Sequence, residues 1–321
     1  MARGGAPIPI QRESCLKAAA GWVCVRVREW ETESLRPSLP TVRPFLKWAG
    51  SKRALIHSLR EYVGQPEPGK AYFEPFLGSG ALFFASSPKK AVLSDVNWPL
   101  ISAFRVVKSK TNALINHLEA LPRVPTRNQY YVLRKRYNDI VTADANPSSE
   151  TVVEIAALLI WLNHTCFNGL YRVNSSGRFN VPFGSRTERH IFSASNLKAA
   201  SASLRSAQAE LYAEPYEKVL GRAGRGDVVY IDPPYEPITD RGNFREYSAS
   251  GFSAEDQARL ADVVRELARK GCRVVISNSS ARSIRELYEG FDFHEVLVNR
   301  MINCDGNARG PVQEVIIVGR Q

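Results

Sequence analysis

Asp227-Val228-Val229-Tyr230-Ile231-Asp232-Pro233-Pro234-Tyr235 runs from an unbroken apolar stretch straight into an acid, two prolines and an aromatic ring. A continuous apolar run of this length, without polar alternation, reads as a strand covered on both faces, as in a parallel sheet flanked by helices. At the carboxyl end of such a strand, side chains project into the crevice where α/β sheets bind ligands. The prolines fix the backbone there, so the Asp232 carboxylate and the Pro233 carbonyl can be held at set positions. Two acceptors suit an exocyclic NH2 group, and Tyr235 offers a face on which a planar base can stack. The four residues alone also read as a tight proline turn capped by an aspartate.

The surrounding sequence supports the sheet reading. Downstream, Arg273-Val274-Val275-Ile276-Ser277 and Glu314-Val315-Ile316-Ile317-Val318 repeat the apolar pattern. Between them, Ser253 to Lys270 has helical spacing: Leu260, Val263, Val264 and Leu267 fall on one face and Ser253 stands as N-cap. Upstream, Ala71-Tyr72-Phe73-Glu74-Pro75-Phe76 is a short β-prone run that stops at Gly78-Ser79-Gly80, before helix-compatible Ala81 to Ala85. Glycines between a strand and a helix let the backbone approach a ligand closely. Ala91-Val92-Leu93-Ser94-Asp95 reads as the next strand, ending on an acid where nucleoside hydroxyls are commonly bound. There is no full GxGxxG pattern, which disfavours a nicotinamide cofactor. Strands alternating with helices predict a mostly parallel sheet wrapped on both sides.

The middle of the chain differs. From about Phe104 to Leu211 helical patterns dominate, with a basic cluster at Arg134-Lys135-Arg136 and a segment, Thr151 to Phe167, that is apolar nearly all round. Gly169-Leu170-Tyr171-Arg172-Val173-Asn174 and Arg178-Phe179-Asn180-Val181-Pro182-Phe183 flank Ser175-Ser176-Gly177, which predicts a β-hairpin. Residues 1–40 lack periodicity and end in a Pro-rich stretch, and they are expected to be a disordered N-terminal extension.

With 321 residues, 44% of them hydrophobic and 23% charged, the composition is that of an ordinary globular protein. Lys and Arg outnumber Asp and Glu by 43 to 32, a formal charge of +11, which favours a polyanionic partner through counterion release. Charge alone fits a basic protein without nucleic acid equally well. The five cysteines, Cys15, Cys24, Cys166, Cys272 and Cys304, form no CxxC pair, and the histidines show no ligand spacing; no disulfide framework or metal site is expected. No apolar run approaches the roughly 20 residues that span a bilayer, so no membrane role and a cytoplasmic location are expected.

Phe45-Leu46-Lys47-Trp48-Ala49-Gly50-Ser51-Lys52, the Glu74-Pro75-Phe76-Leu77-Gly78-Ser79-Gly80 loop, Ser94-Asp95-Val96-Asn97, the hairpin and Asp232-Pro233-Pro234-Tyr235 occur in the order of the Dam-type (alpha-group, D12 class) DNA adenine-N6 methyltransferases. The chain resembles that family from about residue 44 to its C-terminus. The resemblance implies a Rossmann-like S-adenosylmethionine-dependent methyltransferase sheet with helices on both faces, formed by residues 41–105 and 212–321. It also implies a mainly helical target-recognition insertion over 106–211, carrying the β-hairpin.

By that resemblance Trp48, Lys52, Asp95 and Asp232 match positions that contact S-adenosylmethionine, and Glu74, Phe76, Gly78 and Gly80 line the same pocket. Lys52 also fits on its own as a partner for the cofactor's carboxylate. Asp232, Pro233 and Tyr235 are the expected catalytic residues, the first two accepting the N6 hydrogens of an adenine flipped out of duplex DNA. Lys47, Leu170, Arg172 and Pro182 match base-recognition positions: an Arg can read guanine O6 and N7, and apolar Leu or Pro suits a thymine methyl. Phe167 is expected to support the gap left by the flipped base, or to be a buried aromatic at the hairpin root. Arg134, Lys135, Arg136, Arg178, Arg186 and Arg189 read as phosphate contacts or as ordinary solvated charges.

The target expected from the resemblance is GATC or a longer site containing GAT. A monomer is expected, with a cognate restriction endonuclease as a further partner. Two other readings stand beside this one: a DNA-binding homologue without catalysis, and an amino-methyltransferase acting on RNA, cytosine N4 or a protein amide. Asp at position 232 favours adenine, because relatives acting on cytosine N4 more often carry Ser there and protein-amide enzymes more often carry Asn.

Overall fold

The computed structural model describes residues 14–18, 21–25, 42–50, 52, 55–143, 146–184, 191–235, 252–299 and 311–319. Residues Met1–Leu39 and Pro40–Gln321 form separate compact units. In the first, β1 (Ser14–Ala18) pairs antiparallel with β2 (Gly21–Val25).

The second unit is built on a seven-stranded sheet. The predicted apolar runs form β3 (Tyr72–Glu74), β4 (Ala91–Ser94), β6 (Val228–Ile231), β7 (Arg273–Ser279) and β9 (Pro311–Val318). Two strands escape the apolar pattern: β5 (Glu210–Tyr212), only three residues long, and β8 (Asp292–Asn299), an edge strand with mixed polarity. The order is β5-β4-β3-β6-β7-β9-β8. The first five strands are parallel, while β9 runs antiparallel to both β7 and β8.

Strand order reverses between β3 and β6, which puts the carboxyl ends of two sequence-distant strands side by side, the place where open α/β sheets bind ligands. The Gly78 loop follows one and the Asp232 turn follows the other.

Helices cover both faces. On one side α8 (Tyr216–Leu220), α9 (Ala254–Arg269) and α10 (Arg282–Leu287) pack Val219, Leu260, Val264, Leu267 and Ile284 onto Phe73, Val229, Ile231, Val274 and Ile317. The alternate residues Tyr72, Val228, Tyr230, Val275 and Ile316 face the other side, as the two-residue repeat of a strand requires. There they meet α1 (Ile56–Val63), α2 (Ala81–Ser86) and α3 (Trp98–Ser109). Ser253 caps α9 as predicted, within a capping box closed by Asp256.

The helical block between β4 and β5 comprises α3, α4 (Thr111–Glu119), α5 (Arg127–Ala143), α6 (Ser149–Thr165) and α7 (Ala194–Ser206). As its all-round apolar sequence predicts, α6 buries Val153 and nearly everything from Ile155 to Asn163. Its apolar residues are continuous with the core beneath the sheet.

The hairpin that follows α6 is not a regular ladder. Only two isolated antiparallel bridges form, Cys166 to Phe183 and Val173 to Phe179. The reason is that α5 occupies the second arm's backbone. Asn138 accepts from the Phe179 amide (2.7 Å) and donates to its carbonyl (3.0 Å), while Tyr130 and Arg134 both donate to the Val181 carbonyl. Pro182 has no amide to offer. The tip is held by Asn174, whose side-chain oxygen accepts the amides of Ser176 and Arg178. No described helix is long and apolar enough to cross a membrane.

Candidate active site

Asp232 leaves β6 with its side chain 21% exposed and is gripped from two sides: Lys52 Nζ stands 3.0 Å from Oδ1, and Ser277 on β7 donates to the same oxygen at 3.1 Å. Tyr230 pairs with the Ser277 hydroxyl at 2.7 Å, so the contact is braced from within the sheet. Burial raises the Asp232 carboxyl above its ordinary value, and the Lys52 charge and the two hydrogen bonds pull it back. Lys52 is 8% exposed; its ammonium also donates to the Gly50 carbonyl (2.9 Å) and lies 4.4 Å from the centre of the Tyr235 ring.

A second acid completes the cluster. Glu314, on β9 and 5% exposed, accepts the Tyr235 hydroxyl at 2.9 Å and lies 4.0 Å from Lys52 Nζ. Pro233 is buried, and the next carbonyl, that of Pro234, accepts from Gln257 of α9 at 2.8 Å. The Asp-Pro-Pro-Tyr turn is thus fixed by three elements besides its own strand.

Across the switch point the loop after β3 turns through two glycines in the left-handed region, Gly78 (φ +48°) and Gly80 (φ +65°). A Cβ on Gly78 would stand 2.8 Å from Trp48 Cδ1, so only glycine fits under that indole. Asp95, at the end of β4, accepts the Gly78 amide (3.1 Å) and the Asn97 amide (3.0 Å). Burial raises its carboxyl, and those two amides oppose the rise. Phe76 stacks on Tyr216 (ring centres 5.3 Å apart).

Glu74 is placed differently from a residue that faces a ligand. It is 3% exposed, accepts the Tyr72 hydroxyl at 2.8 Å, and burial pushes its carboxyl up to about 8. It is held between the Tyr72 hydroxyl of its own strand and the Phe83 amide of α2. The structure therefore places two groups at the switch point, Trp48, Gly78 and Asp95 after β3 and β4 and Lys52, Asp232 and Tyr235 after β6. The polar set suits S-adenosylmethionine: a cation for a carboxylate, acids for hydroxyls or an ammonium, and a glycine turn for close approach.

The second group of predicted residues lies along the hairpin. Lys47 is half-buried and its backbone is tied to Asn163; Leu170 is half-buried and Pro182 exposed. Phe167 is 44% exposed, which corrects a reading of it as a buried root aromatic. Arg172 is exposed and donates to Asn180. Of the basic residues, Arg134 is turned to the Val181 carbonyl, Lys135 and Arg178 both pair with Asp139, and Arg136 pairs with Glu154. Arg186 and Arg189 lie outside the described residues. Among the described residues no cluster of His, Cys, Asp and Glu is placed to hold a metal ion.

Sequence reading passed over Glu314, Ser277, Gln257 and Asn163. Glu314 heads an apolar run and looks like the solvent-facing start of a strand. Gln257 is the one legible case: it lies three residues before Leu260, on the apolar face of its helix.

Comparison with known proteins identifies the family. The chain is 37% identical over 276 residues to the Type II methyltransferase M1.LlaDCHI of Lactococcus lactis subsp. cremoris, covering 86% of this chain and 95% of that one. It is 36% identical over 282 residues to the Type II methyltransferase M.MjaIII of Methanocaldococcus jannaschii, covering 84% and 95%. Against the DNA adenine methylase of Escherichia coli strain K12 it is 33% identical over 276 residues, covering 85% and 94%. Residues 48–302 match the family described as D12 class N6 adenine-specific DNA methyltransferase, and the chain belongs to that family.

Proposed function

We propose that this protein methylates adenine N6 at one short site in duplex DNA, GATC or a longer site containing GAT, and that the target base enters the crevice by flipping out of the helix. The observation that carries the reading is the Asp232 carboxylate at the switch point, held by Lys52 and Ser277 beside the Gly78 loop. S-adenosylmethionine, when bound, supplies an activated methyl group on a sulfonium. The protein's task is then alignment. Asp232 and the Pro233 carbonyl accept the two N6 hydrogens and aim the nitrogen lone pair, and Tyr235 stacks on the purine. Lys52 meets the donor's carboxylate, Asp95 takes ribose hydroxyls, and Trp48 with the Gly78 turn walls the donor side.

Lys47, Leu170, Arg172 and Pro182 read base edges, and the exposed Phe167 ring supports the gap in the stack. The enzyme acts as a monomer, and a cognate restriction endonuclease is its natural counterpart.

The test incubates purified protein with tritiated S-adenosylmethionine and unmethylated plasmid, then maps modified bases by digestion and single-molecule sequencing, with Asp232→Ala as control. N6-methyladenine at one motif, absent with the variant, is the expected result. Donor binding without label on any duplex would overturn the reading in favour of another substrate, and label on cytosine N4 would overturn the choice of base.

A further inference from the structure

Asn163 is the polar residue of an otherwise apolar stretch of α6, 1% exposed, and its amide makes three hydrogen bonds, to the Lys47 segment and to the root of the hairpin. Its Oδ1 accepts the Lys47 amide at 2.7 Å, and its Nδ2 donates to the Lys47 carbonyl at 2.7 Å and to the Gly169 carbonyl at 2.9 Å. The side chain thus behaves as a short piece of strand, pairing with Lys47 on one side and with the root of the hairpin on the other.

The two segments also touch directly. Gly169 has φ +63°, and a Cβ there would stand 2.6 Å from Lys47 Cβ and 2.8 Å from its Cδ. One residue beyond Lys47 and two beyond Gly169 the contact continues: Trp48 stacks on Tyr171, ring centres 5.4 Å apart and planes 19° from parallel. Trp48 in turn covers Gly78 of the donor loop. A continuous packed path therefore runs from Gly78 through Trp48 and Lys47 to Gly169, Leu170, Tyr171 and Arg172, with one buried amide setting its register.

We propose that Asn163 is a positioning residue for sequence specificity: it locks the base-reading segments Lys47 and Leu170–Arg172 to the donor loop, so that a correct target read by the hairpin favours the methyl-transfer geometry and a wrong one does not. The inference rests on the reading of Lys47 and Arg172 as base contacts. A buried amide is the group suited to this task, because a lost partner leaves backbone groups of both segments unsatisfied away from water. The coupling is of the kind that two sites share through one element with a preferred arrangement.

The experiment measures kcat/KM on the mapped target duplex and on duplexes changed at one base pair, together with the Kd of S-adenosylmethionine by calorimetry. The variants are Asn163→Asp, which keeps the shape but removes both donors, and Gly169→Ala, which forces the same contact from the other side. Lys47→Ala and Arg172→Ala test the underlying reading. Discrimination between target and changed duplex is expected to fall at least tenfold in Asn163→Asp and Gly169→Ala, with donor Kd within threefold of the parent. A uniform loss of rate on all duplexes, with discrimination kept, would mark a merely structural role and overturn the proposal.

Unchanged discrimination in Lys47→Ala and Arg172→Ala would overturn the base-reading assignment and the proposal with it. Loss there but none in the Asn163 and Gly169 variants would overturn the proposal alone. Should the variants fail to fold, hydrogen exchange of the Lys47 amide in the unaltered protein decides the matter. Target duplex is expected to slow it at least tenfold more than a duplex changed at one base pair, and equal protection by both would overturn the coupling.

Discussion

Replacing Glu74 by Gln should change how the stability of this protein depends on pH, and the direction follows from where the carboxyl sits. Glu74 is buried beside Tyr72, and burial pushes its carboxyl from an ordinary 4.5 up to about 8, with the nearby Asp232 adding to the rise and the Tyr72 hydroxyl opposing it. In the unfolded chain the group loses its proton near 4.5; in the folded protein it keeps it to about 8. Across that window the unfolded state binds fewer protons than the native state, so the free energy of unfolding, and with it the stability, falls as pH rises. At about 1.4 kcal/mol per pH unit, the group withdraws about 3 kcal/mol between pH 5.5 and 7.5 and about 5 kcal/mol in all. The effect is absent below 4.5 and complete above 8.

Gln has no proton to lose. Its oxygen can accept the Tyr72 hydroxyl, but its NH2 group then meets the Phe83 amide, another donor, which costs about 1–3 kcal/mol at every pH. The urea-unfolding curves of the two proteins, taken from pH 5 to 8.5 at constant ionic strength, should therefore cross. The variant is less stable at the acid end and more stable at the alkaline end, with m unchanged. Two parallel profiles would refute the reasoning, because they would mean that the Glu74 carboxyl ionises alike in both states.

Four further outcomes follow from the geometry. Lys52→Met leaves the Asp232 carboxyl without its cation; calorimetry should show donor affinity at least tenfold weaker, and urea unfolding a loss of about 3 kcal/mol. Full donor affinity would remove Lys52 from the site. Tyr235→Phe keeps the ring and loses only the hydroxyl held by Glu314, so kcat should fall less than tenfold, whereas Tyr235→Ala removes a stacking contact worth about 1–3 kcal/mol and should lose ten- to a hundredfold; equal losses would assign the effect to the hydroxyl. Gly78→Ala places a methyl 2.8 Å from Trp48 Cδ1 on a backbone at φ +48°, and a donor Kd raised less than threefold would show that the loop is not the donor's wall. Duplex binding should weaken steeply with salt, the logarithm of affinity falling linearly with the logarithm of salt concentration at a slope of about −0.9 per phosphate neutralised, and a flat dependence would exclude the basic surface as the source of affinity.

The strands that build the site were legible because β3, β4, β6 and β7 are buried on both faces and so carry unbroken apolar runs, and their outgoing turns carry the motif residues. The edge strand β8 was not, since Asp292, His294 and Glu295 break its pattern, and β5 is too short to have one. The hairpin was legible as two β-prone arms around a Ser-Ser-Gly turn, yet its pairing was not. That pairing depends on Asn138, Tyr130 and Arg134 reaching over from α5, contacts with sequence separations of about forty to fifty residues that no local pattern encodes. Glu314 and Asn163 escaped for the same reason. Each is a polar residue whose partners lie in other elements, and a polar residue in an apolar segment carries no mark of what it will meet.

The topology explains how a helical block is carried inside this chain without parting the strands that hold the Asp232 turn and the Gly78 loop. The Asp232 turn and the Gly78 loop need only β3 and β6 to be neighbours, and Asp95 needs only β4 beside them. The block departs after β4 and returns at β5, the far edge of the parallel run, so its helices enter the fold without separating any pair of strands that the site uses. What ties the block to the crevice is a different connection, the Lys47–Trp48 segment, which precedes the sheet and is hydrogen-bonded to α6 on one side and packed on Gly78 on the other. On the proposed function, the sheet would hold the methyl-transfer geometry and the hairpin arms would read the bases. On the proposed function, the residues least free to change are those at the junction, Asn163, Gly169 and Trp48, since they join the reading segments to the Gly78 loop.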